Sequence, residues 1–176
     1  MTLFFQLDLP ESHPLATRHF VVFACAEHDD IWGGIYNNAA IVHPPGQLPA
    51  EYWALGGHYH LATYAGDELV PAPSQGRLRA RPVTLQPDEA PKKKLFRIGG
   101  KAPYVDKLGY VCACGKPMVQ LAEVPDDQEF ELAPDQKPQA NTTSDKVDLL
   151  FLGNYLLVMS CSVPCRPEAI VVYMVN

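Results

Sequence analysis

Residues 119–125 read Val-Gln-Leu-Ala-Glu-Val-Pro, and residues 156–162 read Leu-Leu-Val-Met-Ser-Cys-Ser. Near the start of the chain, residues 5–10 read Phe-Gln-Leu-Asp-Leu-Pro, and residues 20–26 read Phe-Val-Val-Phe-Ala-Cys-Ala. Each time, a segment with Gln-Leu that ends on proline precedes an apolar segment that ends with a cysteine between two small residues. This repeated order predicts two β-rich halves with pseudo-twofold internal similarity. Because the connections differ in length, chance similarity between apolar strands stays an alternative.

Proline and glycine interrupt the whole chain of 176 residues, with 17 and 12 copies. A proline inside a helix removes a hydrogen bond and clashes with the preceding turn, so this spacing excludes long helices and favours short strands. Strands are predicted over residues 2–9, 20–26, 35–42, 59–64, 78–85, 95–98, 118–124, 149–160 and 170–175. A short helix is predicted over residues 49–55, a polar connection over 125–144 and a short turn over 145–150. We therefore expect an α+β, β-rich fold of two antiparallel sheet halves with few short helices.

The segment 86–94 is a predicted linker between an N-terminal β-rich half, residues 1–86, and a C-terminal β-rich half, residues 95–176, that holds the cysteine cluster. A hydrophobic share of 47% and a charged share of 19% exclude wholesale disorder and predict one compact unit. No apolar run reaches about 18 residues, so no membrane-spanning helix is predicted. The first residues lack the basic start of a signal peptide. We therefore expect a cytoplasmic protein with reduced cysteines.

The net charge of −6 is unevenly distributed along the chain. Residues 77–107 carry nine bases against three acids, whereas residues 1–76 carry one base against eight acids and residues 108–176 four bases against nine acids. A basic segment can contact phosphate, but it also neutralises acidic neighbours on a solvated surface. Because the chain as a whole is acidic, we expect no direct binding to nucleic acid.

Four of the five cysteines form two close pairs. These pairs are Cys112 with Cys114, and Cys161 with Cys165. Four thiolates complete a tetrahedral zinc shell, and Gly115 and Pro164 suit the tight turns that such ligand pairs need. A Cys-x-Cys pair lies at the edge of the usual spacing of zinc ligands, so buried free thiols stay an alternative. Cys25 has no cysteine nearby, and we interpret it as a core thiol.

Residues 96–104 read Phe-Arg-Ile-Gly-Gly-Lys-Ala-Pro-Tyr and residues 112–118 read Cys-Ala-Cys-Gly-Lys-Pro-Met, followed by Gln-Leu at 120–121, by residues 156–161 and by Cys165. This run resembles the bacterial YwqG-like family. It is more distantly similar to the C-terminal domain of the eukaryotic programmed-cell-death-linked ribosomal chaperones. The resemblance covers residues 95–176, with Tyr104 where the family usually has tryptophan.

The resemblance implies a duplicated, β-rich α+β fold. Family members often carry paired cysteines at both places, which lends the role of structural zinc ligands to Cys112, Cys114, Cys161 and Cys165. The family has no established catalytic residue to carry over. Some members sit in the gene neighbourhoods of polymorphic toxins, where an immunity role is expected.

All six histidines lie in the first 60 residues. His58 and His60 share one face of a predicted strand, where they could ligate a metal together, although paired histidines on a strand are common without metal. A dyad of Cys25 with a histidine lacks any recognisable signature of an activating base and an oxyanion donor. We therefore predict that the protein is not an enzyme.

Two segments are candidates for partner binding. The connection after residue 122 is rich in carboxylates, and its candidate residues are Glu123, Asp126, Asp127, Glu129 and Glu131. Such a loop can attract a basic partner, although a solvated connection explains the same charges. Aromatic side chains crowd residues 32–64; most should be core, and Trp32 and Trp53 are candidate anchors.

We expect a non-enzymatic protein-binding module, most specifically an immunity protein that neutralises a cognate bacterial toxin. One alternative is a zinc-stabilised chaperone or adaptor for a basic client such as a ribosomal protein. Another alternative is a hydrolase that uses the histidine-rich first half. The first two share the prediction of acidic binding surfaces, so sequence alone does not separate them.

Overall fold

The computed structural model describes residues 1–26, 46–50, 52, 58–66, 76–87, 96–100, 108–138, 144–150 and 154–174. Within these ranges the strands are β1 (Thr2–Asp8), β2 (Arg18–Ala24), β3 (Tyr59–Ala65), β4 (Arg97–Ile98), β5 (Met118–Val124), β6 (Glu129–Glu131), β7 (Val147–Leu149), β8 (Leu156–Cys161) and β9 (Ile170–Met174). The prediction of a β-rich fold is confirmed. No helix in the described part of the chain combines the length and the apolar character needed to cross a membrane.

The strands form three sheets in which every pairing of strands is antiparallel. The first sheet has the order β1-β2-β3, the second β4-β5-β8-β9, and the third consists of β6 and β7. The orders β1-β2-β3 and β5-β8-β9 share one connectivity, which agrees with the order of similar segments in the sequence. The pseudo-twofold similarity of the two halves itself stays a prediction.

The first core contains buried side chains from both larger sheets. Its members are Phe4, Leu7, Leu9, Leu15, Phe20, Val22, Ala24, Leu121, Ala122, Val124, Leu150, Leu156, Val158, Ile170 and Val172. Phe5 packs beside it, with its ring edge-to-face against Phe20 and Phe96 at centroid distances of 5.3 and 4.8 Å. Residues from both sides of the predicted linker therefore share one core, while the boundaries 1–86 and 95–176 stay a prediction.

The second core lies on the opposite face of the second sheet. Its members are Leu48, Tyr52, Leu108, Tyr110, Cys112, Met118, Leu157, Met159, Cys161, Ala169 and Val171. Along β8, Leu156 and Val158 enter the first core, whereas Leu157 and Met159 enter the second. A strand that is covered on both faces needs apolar side chains at successive positions. This explains the continuous apolar run of β8.

An irregular register in β5 determines which of its side chains enter the first core and which have polar surroundings. The pairing with β8 shifts between Gln120 and Ala122. A bulge of this kind lets the consecutive Leu121 and Ala122 both enter the first core. Gln120 and Glu123 stay outside that core and pair with each other, because Gln120 Nε2 donates to Glu123 Oε1 at 3.0 Å.

The chain between β5 and β8 differs from the prediction. Residues 125–144, predicted as a polar connection, contain β6, and residues 145–150, predicted as a turn, contain β7, which pairs with β6. Phe130 explains the extra strand, because its ring packs on the first core and meets Phe4 edge-to-face at 5.0 Å. The predicted strand 149–160 is therefore divided between β7 and β8.

The predicted strand 78–85 forms only one bridge, between Leu78 and Leu132. Residues 79–87 are exposed and lie outside any ladder, and Pro82 has no N–H to donate to one. The predicted strand 35–42 lies outside the described residues. So does most of the predicted helix 49–55, where the Tyr52 amide donates to the Pro49 carbonyl at 3.3 Å.

Candidate metal centre

Cys112 and Cys114 lie in a tight turn directly before β5, which we name the first cysteine loop (residues 112–116). The Cys112 amide donates to the Lys116 carbonyl at 2.8 Å, and the Gly115 amide donates to the Cys112 carbonyl at 2.8 Å. Gly115 has a φ of 82°, a left-handed conformation that glycine adopts without strain. The turn therefore folds back over its own first residue, with one cysteine at its start and one at its centre.

Cys161 is the last residue of β8, and Cys165 lies in the connection to β9. We name residues 161–169 the second cysteine loop. The Cys161 amide donates to the Ala169 carbonyl at 2.9 Å, which closes this loop at its base.

The pairing of β5 with β8 sets the two cysteine loops side by side. Met118 is opposite Cys161 in the ladder, and the Ser162 amide donates to the Pro117 carbonyl at 3.0 Å. The first loop ends where β5 begins and the second begins where β8 ends, so the same end of the sheet carries both. Sheet register therefore brings together cysteines that lie far apart in the sequence.

The four sulfur atoms of the two loops form one cluster, within 4.8 Å of one another. Cys112 Sγ lies 3.7 Å from Cys165 Sγ, and Cys114 Sγ lies 3.5 Å from Cys161 Sγ. Zinc–sulfur bonds of about 2.3 Å in a tetrahedron place neighbouring sulfurs about 3.8 Å apart. A disulfide bond is about 2.05 Å long, and all four cysteines are free thiols. The cluster therefore has the dimensions of a four-sulfur metal site.

Hydrogen bonding and burial shift the pKa values of the cluster's thiols in opposite directions. Cys112 and Cys161 are buried, whereas Cys114 and Cys165 are exposed. The hydrogen bond from the Lys116 amide lowers the pKa of Cys114 to about 7, while burial raises the pKa of Cys161 to about 11. Burial also raises the pKa of Cys165, whose sulfur packs against Cys112 although the residue as a whole is exposed. Four adjacent thiolates repel one another, so all four ionise together only around a cation.

Tyr52 supplies a hydroxyl next to the cluster. Its Oη lies 3.5 Å from Cys112 Sγ and 3.8 Å from Met118 Sδ, and the side chain is 1% exposed. Burial raises the pKa of Tyr52 far above its usual value, so the hydroxyl keeps its proton. A hydrogen bond to a coordinating sulfur orients and tunes a metal ligand. The sequence placed Tyr52 only in an aromatic stretch and gave no signal for this role.

The donor set limits what the cluster can do. Thiolate ligands suit zinc, copper(I) and iron–sulfur chemistry and do not suit magnesium or calcium. A site with four ligands from the protein leaves no coordination position for water or substrate, which is typical of structural metal sites. The four close cysteines can therefore hold a metal ion.

The predicted position of Glu123 on an exposed acidic loop is wrong, while its role in partner binding stays a prediction. β5 extends through Val124, and the Glu123 side chain is 6% exposed. Its Oε2 accepts hydrogen bonds from Arg97 Nη1 at 3.1 Å and from the Tyr155 hydroxyl at 2.6 Å. Together with Gln120, these residues form a buried polar network that the sequence analysis did not identify.

The other predicted acidic residues follow β5: Asp126, Asp127, Glu129 and Glu131. Asp127 and Glu129 are exposed, whereas Glu131 forms ion pairs with Arg79 and Arg81. Their role in partner binding stays a prediction. The other two predicted anchors, Trp32 and Trp53, lie outside the described residues.

Arginines of the basic segment neutralise acidic residues of the third sheet. Arg77 donates from Nε and Nη2 to the two carboxylate oxygens of Asp148 at 2.5 and 3.1 Å, and the Asp148 side chain is 0% exposed. Arg79 and Arg81 pair with Glu131 on the neighbouring strand. These pairs favour the interpretation of the basic segment as a partner of acidic neighbours within the chain.

The histidine candidates stay separate from the cysteine cluster. His60 Nε2 lies 3.1 Å from the Tyr64 hydroxyl, and His58 accepts the Cys25 amide at its backbone carbonyl at 2.8 Å. Across the described ranges, the cysteine cluster is the one group of three or more ligand-type side chains close enough to share a metal ion. A metal site at His58 and His60 therefore gains no third ligand from those ranges.

Comparison of the chain with known protein families, curated proteins and solved structures returned no match. The resemblance to the YwqG-like family stays a prediction.

Proposed function

We propose that Cys112, Cys114, Cys161 and Cys165 bind one structural Zn²⁺, and that the chain is a non-enzymatic protein-binding module that this ion stabilises. The observation that carries the proposal is the cluster of four sulfurs within 4.8 Å of one another. A closed set of four protein ligands suits a structural ion rather than a catalytic one. Zinc is the first choice, because tetrahedral four-cysteine sites most often hold it, and iron is the competing ion.

The ion would add a further link between parts of the chain that strand pairing and the second core already join. The first cysteine loop precedes β5 and the second connects β8 with β9. Cys112 and Cys161 also belong to the second core, whose other members are aromatic and aliphatic. Zinc would therefore stabilise the sheet end and this core together, because metal-binding energy contributes to folding energy.

Elemental analysis of protein purified under reducing conditions without chelator tests the metal. We expect about one zinc per chain. Cys165→Ser should lose the metal, because one of four ligands is removed, whereas the matched control Cys25→Ser should keep it. A folded wild-type protein without metal, or with iron in place of zinc, would contradict the proposal.

We further propose that the partner is a basic protein, in the first instance a cognate toxin that this chain neutralises as an immunity protein in the cytoplasm. Support comes from the resemblance to the YwqG-like family and from the exposed carboxylates of Asp127 and Glu129 beside the better-covered Asp126. Exposed charge of one sign accelerates association with a partner of opposite charge. A chaperone or adaptor for a basic client uses the same surface and is the other outcome of the test.

Binding to the product of the neighbouring gene tests the partner. The variant Asp126→Asn, Asp127→Asn, Glu129→Gln should associate about tenfold more slowly, and the difference should shrink as salt rises. Glu131→Gln is the matched control, since that carboxylate is already paired with Arg79 and Arg81. An unchanged rate and salt dependence in the triple variant would show that the segment is only a solvated connection. Specific binding of ribosomal proteins instead would favour the chaperone.

We also propose that the connectivity shared by β1-β2-β3 and β5-β8-β9 reflects an internal duplication with pseudo-twofold symmetry. The Gln-Leu segments fall in β1 and β5, and each of these strands pairs antiparallel with the apolar strand that ends at or near the small-Cys-small sequence. Superposition of the two three-strand units in a crystal structure tests this relation.

A further inference from the structure

The sulfur atoms of the cluster approach one another across the two cysteine loops. The pair Cys112–Cys165 is separated by 3.7 Å and the pair Cys114–Cys161 by 3.5 Å. Each pair combines one buried and one exposed residue: Cys112 and Cys161 are buried, and Cys165 and Cys114 are exposed. An oxidant from solvent therefore reaches the exposed cysteine of each pair. The buried cysteine lies close enough to react with it once it is oxidised.

We propose that the cluster is a site of reversible oxidation, at which a peroxide converts the four thiols into two disulfides, Cys112–Cys165 and Cys114–Cys161, and displaces the metal. The metal release rests on the proposed function. The disulfide pairing rests on the sulfur positions alone.

The chemistry balances with two peroxide molecules per cluster. At each exposed cysteine the sulfur attacks the peroxide O–O bond as a thiolate, the form in which it would bind the metal, and this gives a sulfenic acid and a hydroxide or alkoxide. The buried thiol of the same pair then attacks the sulfenic sulfur, an S–S bond forms, and water leaves. The four sulfurs lose four electrons in total and each peroxide gains two. A disulfide sulfur is a poor metal ligand, so Zn²⁺ leaves the site.

Both disulfides would join the first cysteine loop to the second, which is the link that the metal makes in the reduced protein. Closing each pair to a bond of about 2.05 Å needs a movement of roughly 1.5 Å. Cys114 and Cys165 lie in turns rather than in strands, so the loops can supply this movement while β5 and β8 keep their register. Oxidation should therefore exchange one link for another without unfolding the sheet.

Hydrogen peroxide added to the purified, reduced protein tests the proposal. We expect loss of all bound zinc, detected with a chromogenic chelator, and a mass about 4 Da below that of the reduced metal-free chain. Dithiothreitol with added zinc should restore the metal content. Zinc that stays bound, or thiols that proceed to sulfinic acid without disulfides, would overturn the proposal.

Peptide mapping identifies the linked loops. Trypsin does not cleave before proline, so Cys112 and Cys114 stay in the peptide 108–146, and Cys161 and Cys165 stay in the peptide 147–176. We expect these two peptides to be joined after oxidation, with Cys25 reduced in the peptide 19–77. Disulfides within one peptide, or to Cys25, would contradict the pairing.

Two double variants separate the proposed pairing from other cross-links. Cys112→Ser with Cys165→Ser keeps the pair Cys114–Cys161 and should form one disulfide. Cys114→Ser with Cys165→Ser keeps only the two buried thiols and should lose most of the reactivity. Equal reactivity of both variants would overturn the assignment of exposed and buried partners. If the wild-type protein binds no metal but still forms the two disulfides, the zinc proposal and the metal release fail, and the proposed disulfide pairing stands.

Discussion

His13 connects the segment after β1 with β5 through both ring nitrogens. Nε2 donates to the Gln120 carbonyl at 3.1 Å, and Nδ1 accepts the Leu15 amide at 2.9 Å. Burial lowers the pKa of His13 below its usual value. Protonation would place a hydrogen on Nδ1 where the Leu15 amide already points, so the folded protein holds the neutral ring.

This arrangement predicts lower stability in mild acid. The unfolded chain binds the His13 proton below a pH of about 6.5, and the folded chain binds it only at lower pH. The free energy of unfolding should therefore fall as pH decreases through about 6.5, by at most about 1.4 kcal/mol per pH unit. Urea unfolding of the wild type and of His13→Gln at several pH values measures this pH dependence. Glutamine is the suitable replacement because it keeps a donor and an acceptor but does not titrate. A pH-independent difference between the two proteins, or a His13 NMR titration above 6.5, would contradict the prediction.

The Tyr52 hydroxyl should strengthen metal binding at the cysteine cluster. Tyr52→Phe removes the hydrogen bond to Cys112 Sγ, whose length is 3.5 Å, and keeps the ring in the second core. Loss of such a supporting contact weakens metal binding by about tenfold or more. Competition with a chelator measures the zinc affinity, with Tyr64→Phe as the control because its hydroxyl contacts His60. Equal zinc affinities of the two variants would show that the Tyr52 hydroxyl contacts Cys112 without affecting metal binding.

At this scale the sequence identified the residues whose chemistry is unusual and missed those defined by their neighbours. Four cysteines in two close pairs are visible as a pattern, because this spacing is near that of zinc ligands, although buried thiols explain it as well. Tyr52 and Glu123 acquire their roles through contacts with residues more than twenty positions away. Residue type and local spacing do not predict contacts between residues so far apart in the sequence.

Ion pairs between the segment 77–81 and the third sheet differ sharply in burial. Arg77 makes two hydrogen bonds to Asp148, whose side chain is 0% exposed, whereas Arg81 is 69% exposed and pairs with Glu131. Removing one partner of a buried pair leaves the other charge without compensation, whereas exposed pairs contribute little.

We therefore expect losses of very different size from two substitutions that each remove one charge of an ion pair. Asp148→Asn should lower the free energy of unfolding by about 3 kcal/mol. Arg81→Gln should change it by less than about 1 kcal/mol. Urea denaturation at neutral pH measures both. Similar losses in both variants would show that the segment 77–81 is held by its backbone contacts rather than by the Arg77–Asp148 pair.

Strands with a continuous or alternating apolar pattern were predictable, and short strands with charged ends were not. β5 coincides with a predicted segment, and β2 and β8 overlap predicted segments, because their side chains face a core on one or both sides. β6 contains two glutamates in three residues, and only Phe130 reaches the core. Its pairing with β7 depends on a partner strand that lies elsewhere in the chain, so local pattern could not reveal it.

At the scale of the whole molecule, the two cores seen among the described residues depend differently on the cysteine centre. The first core contains no cysteine, whereas Cys112 and Cys161 are members of the second. β8 contributes to both cores, and the pairing of β1 with β2 lies in the other sheet. The similarity between the two ends of the sequence agrees with the shared connectivity of the sheets, but it contains no information about this asymmetry.

Removal of the metal should therefore destabilise the cysteine loops and the second core more than the first core. Without zinc, amides of the two cysteine loops should exchange with solvent faster, because the second core loses the link between Cys112 and Cys161. Amides of β1 and β2 should keep their slow exchange, since the first core is built without the cluster. Hydrogen–deuterium exchange of the reduced protein, with zinc and after chelation, measures the difference. The peroxide-treated protein is the matched control, because its disulfides would replace the lost link and keep the loops protected. A uniform rise in exchange over both sheets would show that the two cores unfold as one cooperative unit.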